Sequence, residues 1–129
     1  MEKKETKSEL TYQNLDVWKQ ARILSNSIYT LTKNFPKEEI YSLTSQIRRA
    51  VVGVVCNIAE GCGQNTPKNT LRFLSIAKGS LYEVESQLFI AFDQNYITQL
   101  QLDDVLSQVT TCKKLLNGFL KYFSKLENG

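Results

Sequence analysis

The side chains of this chain best suited to acid–base or metal chemistry are carboxylates, with Glu60, Glu83 and Glu85 set in two neighbouring helical patterns. A di-metal centre in a helical bundle draws Glu from two helices and Glu-x-x-His from two more. The chain has no histidine, so that motif cannot be written. Imidazole bases and the Ser-His-Asp and Cys-His arrangements fall with it. Three acids on two helices offer oxygen ligands to a hard cation but no ligand spacing, so no catalytic, metal-binding or cofactor-binding residue is assigned. Gly61-Cys62-Gly63-Gln64-Asn65 is glycine-rich but lacks the Gly-Lys-Ser/Thr of a phosphate loop; it reads as a helix end.

Two other patterns remain. Near the C-terminus Lys114, Lys121 and Lys125 fall within about 40° of one another on a helical projection, with Gly118 among them and Lys113 flanking. Such a row of ammonium groups would track phosphates and bind them with steep salt dependence; it also suits a solvated face near a helix C-terminus. Further upstream Gln46, Arg49, Gly53, Asn57, Glu60 and Gln64 recur every three or four residues. They form either a solvated face or a half-buried polar network against a neighbour. Ile76, Gly79, Ser80, Glu83 and Gln87 supply a facing strip. Gly53 opposite Gly79 would let two backbones approach, and Arg49 would neutralise Glu60 or Glu83.

The elements that must position these residues are helices. The chain has 129 residues, 42% of them hydrophobic and 22% charged, with only two prolines and six glycines. That is one ordinary domain without enough turn residues for a small β-sandwich. Both prolines sit at helix starts: Phe35-Pro36-Lys37-Glu38-Glu39, and Asn65-Thr66-Pro67 with Thr66 as N-cap. Asp93-Gln94-Asn95 marks a third break, after which Thr98 and Gln101 fit a capping box. These cuts predict helices over about 14–34, 38–64, 67–93 and 98–126. Residues 12–126 then form one bundle domain between tails at 1–11 and 127–129.

Apolar spacing agrees. Val17, Ala21, Leu24, Ile28, Leu31 and Phe35 alternate steps of four and three, and Leu102 through Val105, Val109, Cys112, Leu116, Phe119 and Phe123 to Leu126 does the same. Such seams belong to helices packed at shallow angles. The fold class is therefore all-α, an up-down antiparallel four-helix bundle. The second helix carries more than its share, with Ile47, Val51, Val54 and Ile58 in one stripe and Val52, Val55, Ala59 and Cys62 in another roughly 90° round. Leu71, Tyr82 and Phe89 lie off the main stripe of the third helix. One bundle cannot keep all of this dry, which predicts a homo-oligomer.

Charge and cysteine usage narrow the setting. Sixteen Lys and Arg against thirteen Asp and Glu leave +3, which permits a nucleic-acid partner without demanding one. Cys56, Cys62 and Cys112 contain no C-x-x-C pair and read as small hydrophobes in a reducing cytoplasm. Neither a secretory leader nor a membrane-spanning stretch is expected, and the longest apolar run, Ala50 to Ala59, is about half a membrane span.

These residues resemble a known family. Leu15-Asp16-Val17-Trp18, Phe35-Pro36 with Glu39, Tyr41 and Leu43, Gln46-Ile47-Arg48-Arg49-Ala50, Asn57-Ile58-Ala59-Glu60-Gly61, and Phe73 to Ser80 with Glu83 and Glu85 look like the proteins encoded in intervening sequences of bacterial 23S ribosomal RNA genes. The chain is also similar to accessory proteins of diversity-generating retroelements, which bind RNA and a reverse transcriptase. The resemblance implies a barrel-shaped homopentamer, and carries over Gln46, Arg49, Asn57, Glu60, Gly61, Gly79, Ser80 and Glu83 as shared residues, read first as a packing and interface network. Three readings follow. The leading one is a non-enzymatic oligomeric scaffold contacting structured RNA or a nucleic-acid enzyme. The second is a structural or protein–protein module without nucleic acid, and the third an enzyme using the Glu60–Glu83 region.

Overall fold

The computed structural model describes residues 11–129; the tail expected over 1–11 lies, Thr11 apart, outside the described residues. A 3-10 turn at Tyr12–Asn14 precedes four helices: α1 (Asp16–Thr32), α2 (Leu43–Cys62), α3 (Pro67–Asp93) and α4 (Gln99–Asn128). No strand occurs among the described residues. Backbones approach in the order α1–α2–α3–α4 and back to α1, the ring expected of short connections between antiparallel neighbours.

The punctuation acts where the sequence placed it. Thr66 caps α3 by accepting the Asn69 amide at 3.2 Å. Thr98 and Gln101 close a reciprocal capping box at 3.1 and 2.8 Å, which satisfies amides that have no intrahelical partner. Between them Asn95 takes φ 64°, the left-handed conformation that asparagine tolerates better than most residues.

The start of α2 differs from expectation. Lys37–Glu39 forms only a 3-10 turn, and α2 begins at Leu43 rather than near 38. Glu39 caps α2 from outside: its Oε1 accepts the Leu43 amide at 3.1 Å and its Oε2 accepts the Tyr96 hydroxyl at 2.7 Å. A carboxylate that must reach both partners cannot also sit inside the helix. At the other extreme α4 runs through Asn128, beyond the end expected at 126, so Glu127 and Asn128 are helical rather than tail.

The main stripes meet inside the ring. Leu24, Ile28, Ile47, Val51, Leu81, Val84 and Val109 are fully buried, each contributing about 1.5–3 kcal/mol of transfer free energy. The α4 seam is dry from Leu102 to Leu116, then opens through half-buried Phe119 and Phe123 to exposed Leu126. Length explains this: α4 has 30 residues and α1 only 17, so the last turns of α4 have no α1 beside them. The second α2 stripe stays partly wet, with Val52 38% exposed, as do Tyr82 (45%) and Phe89 (46%) on α3. Val55 is half-buried against the core.

Candidate functional site

The facing strips of α2 and α3 do meet, and they enclose a cleft. Gln46, Arg49, Ala50 and Gly53 from α2, with Ser80, Glu83 and Gln87 from α3, line a space of about 390 Å³. Helical spacing is the reason: residues three and four apart share one face, so each helix brings a short column of side chains to the same seam. Ala50 and Gln87 are buried, Gly53 and Ser80 half-buried, and Gln46, Arg49 and Glu83 exposed. The cleft thus has an inner floor and a charged rim. Ala50 and Gln87 were not among the site residues expected from sequence, although the spacing had already put Gln87 on the strip.

Three details correct the expectation. Gly53 does not face Gly79. A Cβ at position 53 would lie 3.3 Å from Ser80 Oγ, whereas one at position 79 would meet nothing within 4 Å. The close approach is therefore glycine to serine, and exposed Gly79 points away from the seam; a hydrophobic period fixes which face a residue occupies but not the axial register of two helices. Next, Arg49 makes no ion pair with Glu60 or Glu83 among the described residues, so the rim charges stay apart. Lastly, the expected single network divides. Asn57 Nδ2 donates to the Gly53 carbonyl at 2.8 Å and Glu60 lies exposed outside the cleft. Gly61 belongs to a separate joint, where Thr70 Oγ1 donates to its carbonyl at 2.8 Å in a buried bond.

One atom beside the cleft is out of balance. Gln87 is nine-tenths buried, and its Oε1, closed off from solvent and from the cleft, accepts no hydrogen bond among the described residues. A buried acceptor without a donor costs about 1–3 kcal/mol.

The lysine row divides too. Lys114, Lys121 and Lys125 are exposed. Lys113 is engaged: its ammonium donates to both Glu85 oxygens at 2.8 Å and lies 4.7 Å from the Tyr82 ring centroid. It ties α4 to α3 and is removed from the candidate nucleic-acid contacts. Tyr122, 56% exposed and about 60° round α4 from the row, joins the surface in its place. Sequence reading missed it because a tyrosine next to an apolar seam looks like part of the seam.

The cysteines are less uniform than expected. Cys112 is buried, but Cys62 is only half-buried and Cys56 is exposed. Burial pushes the Cys112 thiol up to about 11 and raises that of Cys62, which disfavours the reactive thiolate at both. Among the described residues no cluster of three Cys, Asp or Glu side chains is placed to hold a metal ion. No described helix is long and apolar enough to cross a membrane.

The model of the family described as 23S rRNA-intervening sequence protein matches residues 13–118. The chain belongs to that family. A crystal structure of a protein of unknown function from the S23 ribosomal protein family of Bacteroides thetaiotaomicron VPI-5482 has the same fold. It is 24% identical, the match covers 81% of this chain and 95% of that one, and the TM-score is 0.76. No curated protein matches. Neither the family description nor that structure's name carries an enzymatic activity. The α2–α3 cleft lies wholly inside the span that the family model matches, whereas Lys121, Tyr122 and Lys125 lie beyond it.

Proposed function

We propose that this member of the 23S rRNA-intervening sequence proteins is a non-enzymatic scaffold. It assembles from copies of itself, five by the family resemblance, and holds structured RNA along the outer face of α4. The observation that carries the reading is the apolar surface a single copy leaves in water, Val52 on α2 with Tyr82 and Phe89 on α3. Surface of this kind is what an interface between copies removes from solvent. The RNA contact is supported by Lys114, Lys121 and Lys125, exposed beside Tyr122. Cations that track a backbone next to a ring that stacks a base are the usual parts of a sequence-tolerant RNA surface.

The net charge of only +3 and the engagement of Lys113 by Glu85 favour the second reading, a protein–protein module without nucleic acid. Two measurements decide. Light scattering at micromolar concentration is expected to give a mass several times 14.8 kDa, and a monomer there ends the assembly reading. Filter binding of 23S ribosomal RNA fragments is expected to weaken with salt, with a log–log slope of about −2 to −3 for three phosphates per copy. Replacing Lys114, Lys121 and Lys125 together by Gln is expected to abolish that binding and leave the mass unchanged. A slope near zero ends the RNA reading and leaves the protein–protein module.

A further inference from the structure

We propose that the pocket between the end of α1 and the start of α2 binds a small organic phosphomonoester. Its phosphoryl oxygens would sit on Arg48 and Thr44 and its apolar body against Phe35, Pro36 and Ile40, all of which line the pocket. The space is about 340 Å³, the scale of a small-molecule site and too small for a folded partner. Lys33 and Lys37 also border it, so three cations line the pocket and no acid does. Glu39, next in the chain to Ile40, is turned onto the Leu43 amide and the Tyr96 hydroxyl instead.

The arginine is held in place before any anion arrives. Half-buried Arg48 donates from Nε to Thr32 Oγ1 at 2.8 Å, and its guanidinium carbon lies 4.7 Å from the Tyr29 ring centroid. Buried Thr32 gives its own proton to the Ile28 carbonyl at 2.7 Å, so its oxygen meets Arg48 as an acceptor. One edge and one face of the guanidinium are thereby fixed. The two Nη groups make no hydrogen bond and no carboxylate pairs with them among the described residues. Their N–H groups form the end of the planar fork, which grips two oxygens of one phosphate. One turn earlier on the same face of α2, Thr44 is 3% exposed and its hydroxyl makes no hydrogen bond among the described residues. Unlike Gln87 Oε1, that hydroxyl is not sealed from water; it opens into the pocket that Thr44 lines and can donate to a further phosphate oxygen. Exposed Lys33 and Lys37 add the charge that favours a dianion. Inorganic phosphate would leave the apolar wall in water, with Ile40 47% exposed, and a neutral apolar molecule would cover Arg48 without pairing it. An ester of phosphate with a small apolar group satisfies both. The pocket lies at the opposite end of the bundle from Lys121 and Lys125, so the proposal is independent of RNA binding.

The test is calorimetric titration of the full chain, in its native assembly, with phenyl phosphate, inorganic phosphate and phenol. Phenyl phosphate is expected to bind, inorganic phosphate roughly tenfold or more weaker for want of an apolar body, and phenol not measurably. Arg48→Lys keeps the charge but loses the fork and the Thr32 bond, and is expected to weaken phenyl phosphate roughly tenfold or more. Thr44→Val keeps the shape without the hydroxyl and is expected to weaken it several-fold. Circular dichroism checks that each variant is folded. Lys33→Gln with Lys37→Gln, both at exposed positions, is expected to weaken binding and flatten its salt dependence, which keeps the test decisive should Arg48→Lys not fold. Four results overturn the proposal: no binding of phenyl phosphate at millimolar concentration, inorganic phosphate binding equally well, binding that the variants leave unchanged, or variants that alter the mass of the assembly, which would make the pocket a contact between copies. Tighter binding of a 5′-phosphorylated RNA oligonucleotide, lost with the same substitutions, overturns it as well and makes the pocket a seat for an RNA end.

Discussion

The two ends of α2 are fastened by different physics. At its C-terminal end buried Gly61 sits against α3, where a Cβ would meet Leu74 Cδ2, Phe73 Cβ and the Thr70 carbonyl oxygen, each at 3.4 Å. The buried Thr70 hydroxyl donates to the Gly61 carbonyl. Nothing in that joint titrates. At its N-terminal end Glu39 accepts from the Leu43 amide and the Tyr96 hydroxyl, while Phe35 and Tyr96 pack with ring centroids 5.4 Å apart. That joint depends on one carboxylate at the surface. Close packing and a neutral hydrogen bond fix geometry at any pH, whereas a carboxylate clasp gives a connection that protons can loosen. Lys113 on Glu85 fixes the register of antiparallel α3 and α4, so α4 beyond Lys113, with Lys121 and Lys125, runs toward the start of α3 and the neutral joint.

The largest expected effect comes from crowding the neutral joint. Gly61→Leu drives a branched side chain into groups already at contact distance, and overpacking of this kind typically destabilises by about 1–3 kcal/mol. Because the Thr70 carbonyl is backbone and cannot swing aside, the upper part of that range is expected. Urea denaturation at fixed protein concentration checks it, since assembly makes apparent stability concentration-dependent. Gly61→Ala places its Cβ at ordinary contact distance and is expected to change stability by less than about 1 kcal/mol. If both variants melt alike, the joint is not tight.

Thr70→Val ranks next. It keeps shape but removes the donor to the Gly61 carbonyl, for an expected loss of about 1–2 kcal/mol. The loss should be the same at acid and neutral pH because no group in the joint titrates. A loss that varied with pH would erase the distinction between the two ends.

Sequence legibility follows the same division. Signals contained in a few consecutive residues read true: the Thr66 cap, the Thr98–Gln101 box and the turn at Asn95 all depend on neighbours. The buried stripes read true as well, because a helical period is local. What escaped depends on partners distant in the chain. The delayed start of α2 needs Tyr96, 57 residues from Glu39. The engagement of Lys113 needs Glu85, 28 residues away. The polar strips of α2 and α3 were legible as faces, but pairing Gly53 with Ser80 instead of Gly79 requires the axial offset of two helices, which periodicity does not encode.

The smallest expected effect belongs to the titratable joint. Glu39 is held below its ordinary 4.5, first by the Tyr96 hydroxyl and then by the Leu43 amide, with partial desolvation opposing. A carboxyl lowered on folding contributes stability that is present above its unfolded value and is lost as pH falls through its folded one. Tyr96 is raised above 10.0, chiefly by the same hydrogen bond, so its contribution is present below that value and is lost as pH rises through the folded one. The joint should therefore weaken in acid and again in strong alkali. Because the pair sits at the surface, solvent screening keeps the effect small. Glu39→Gln is expected to be less stable than the parent chain at neutral pH and to converge with it well below pH 4.5. Tyr96→Phe should lose the same acid dependence. Urea midpoints measured across pH for the parent and both variants decide the matter. Parallel curves for the parent and Glu39→Gln would mean that the clasp stores nothing, leaving Phe35 against Tyr96 to hold that end alone.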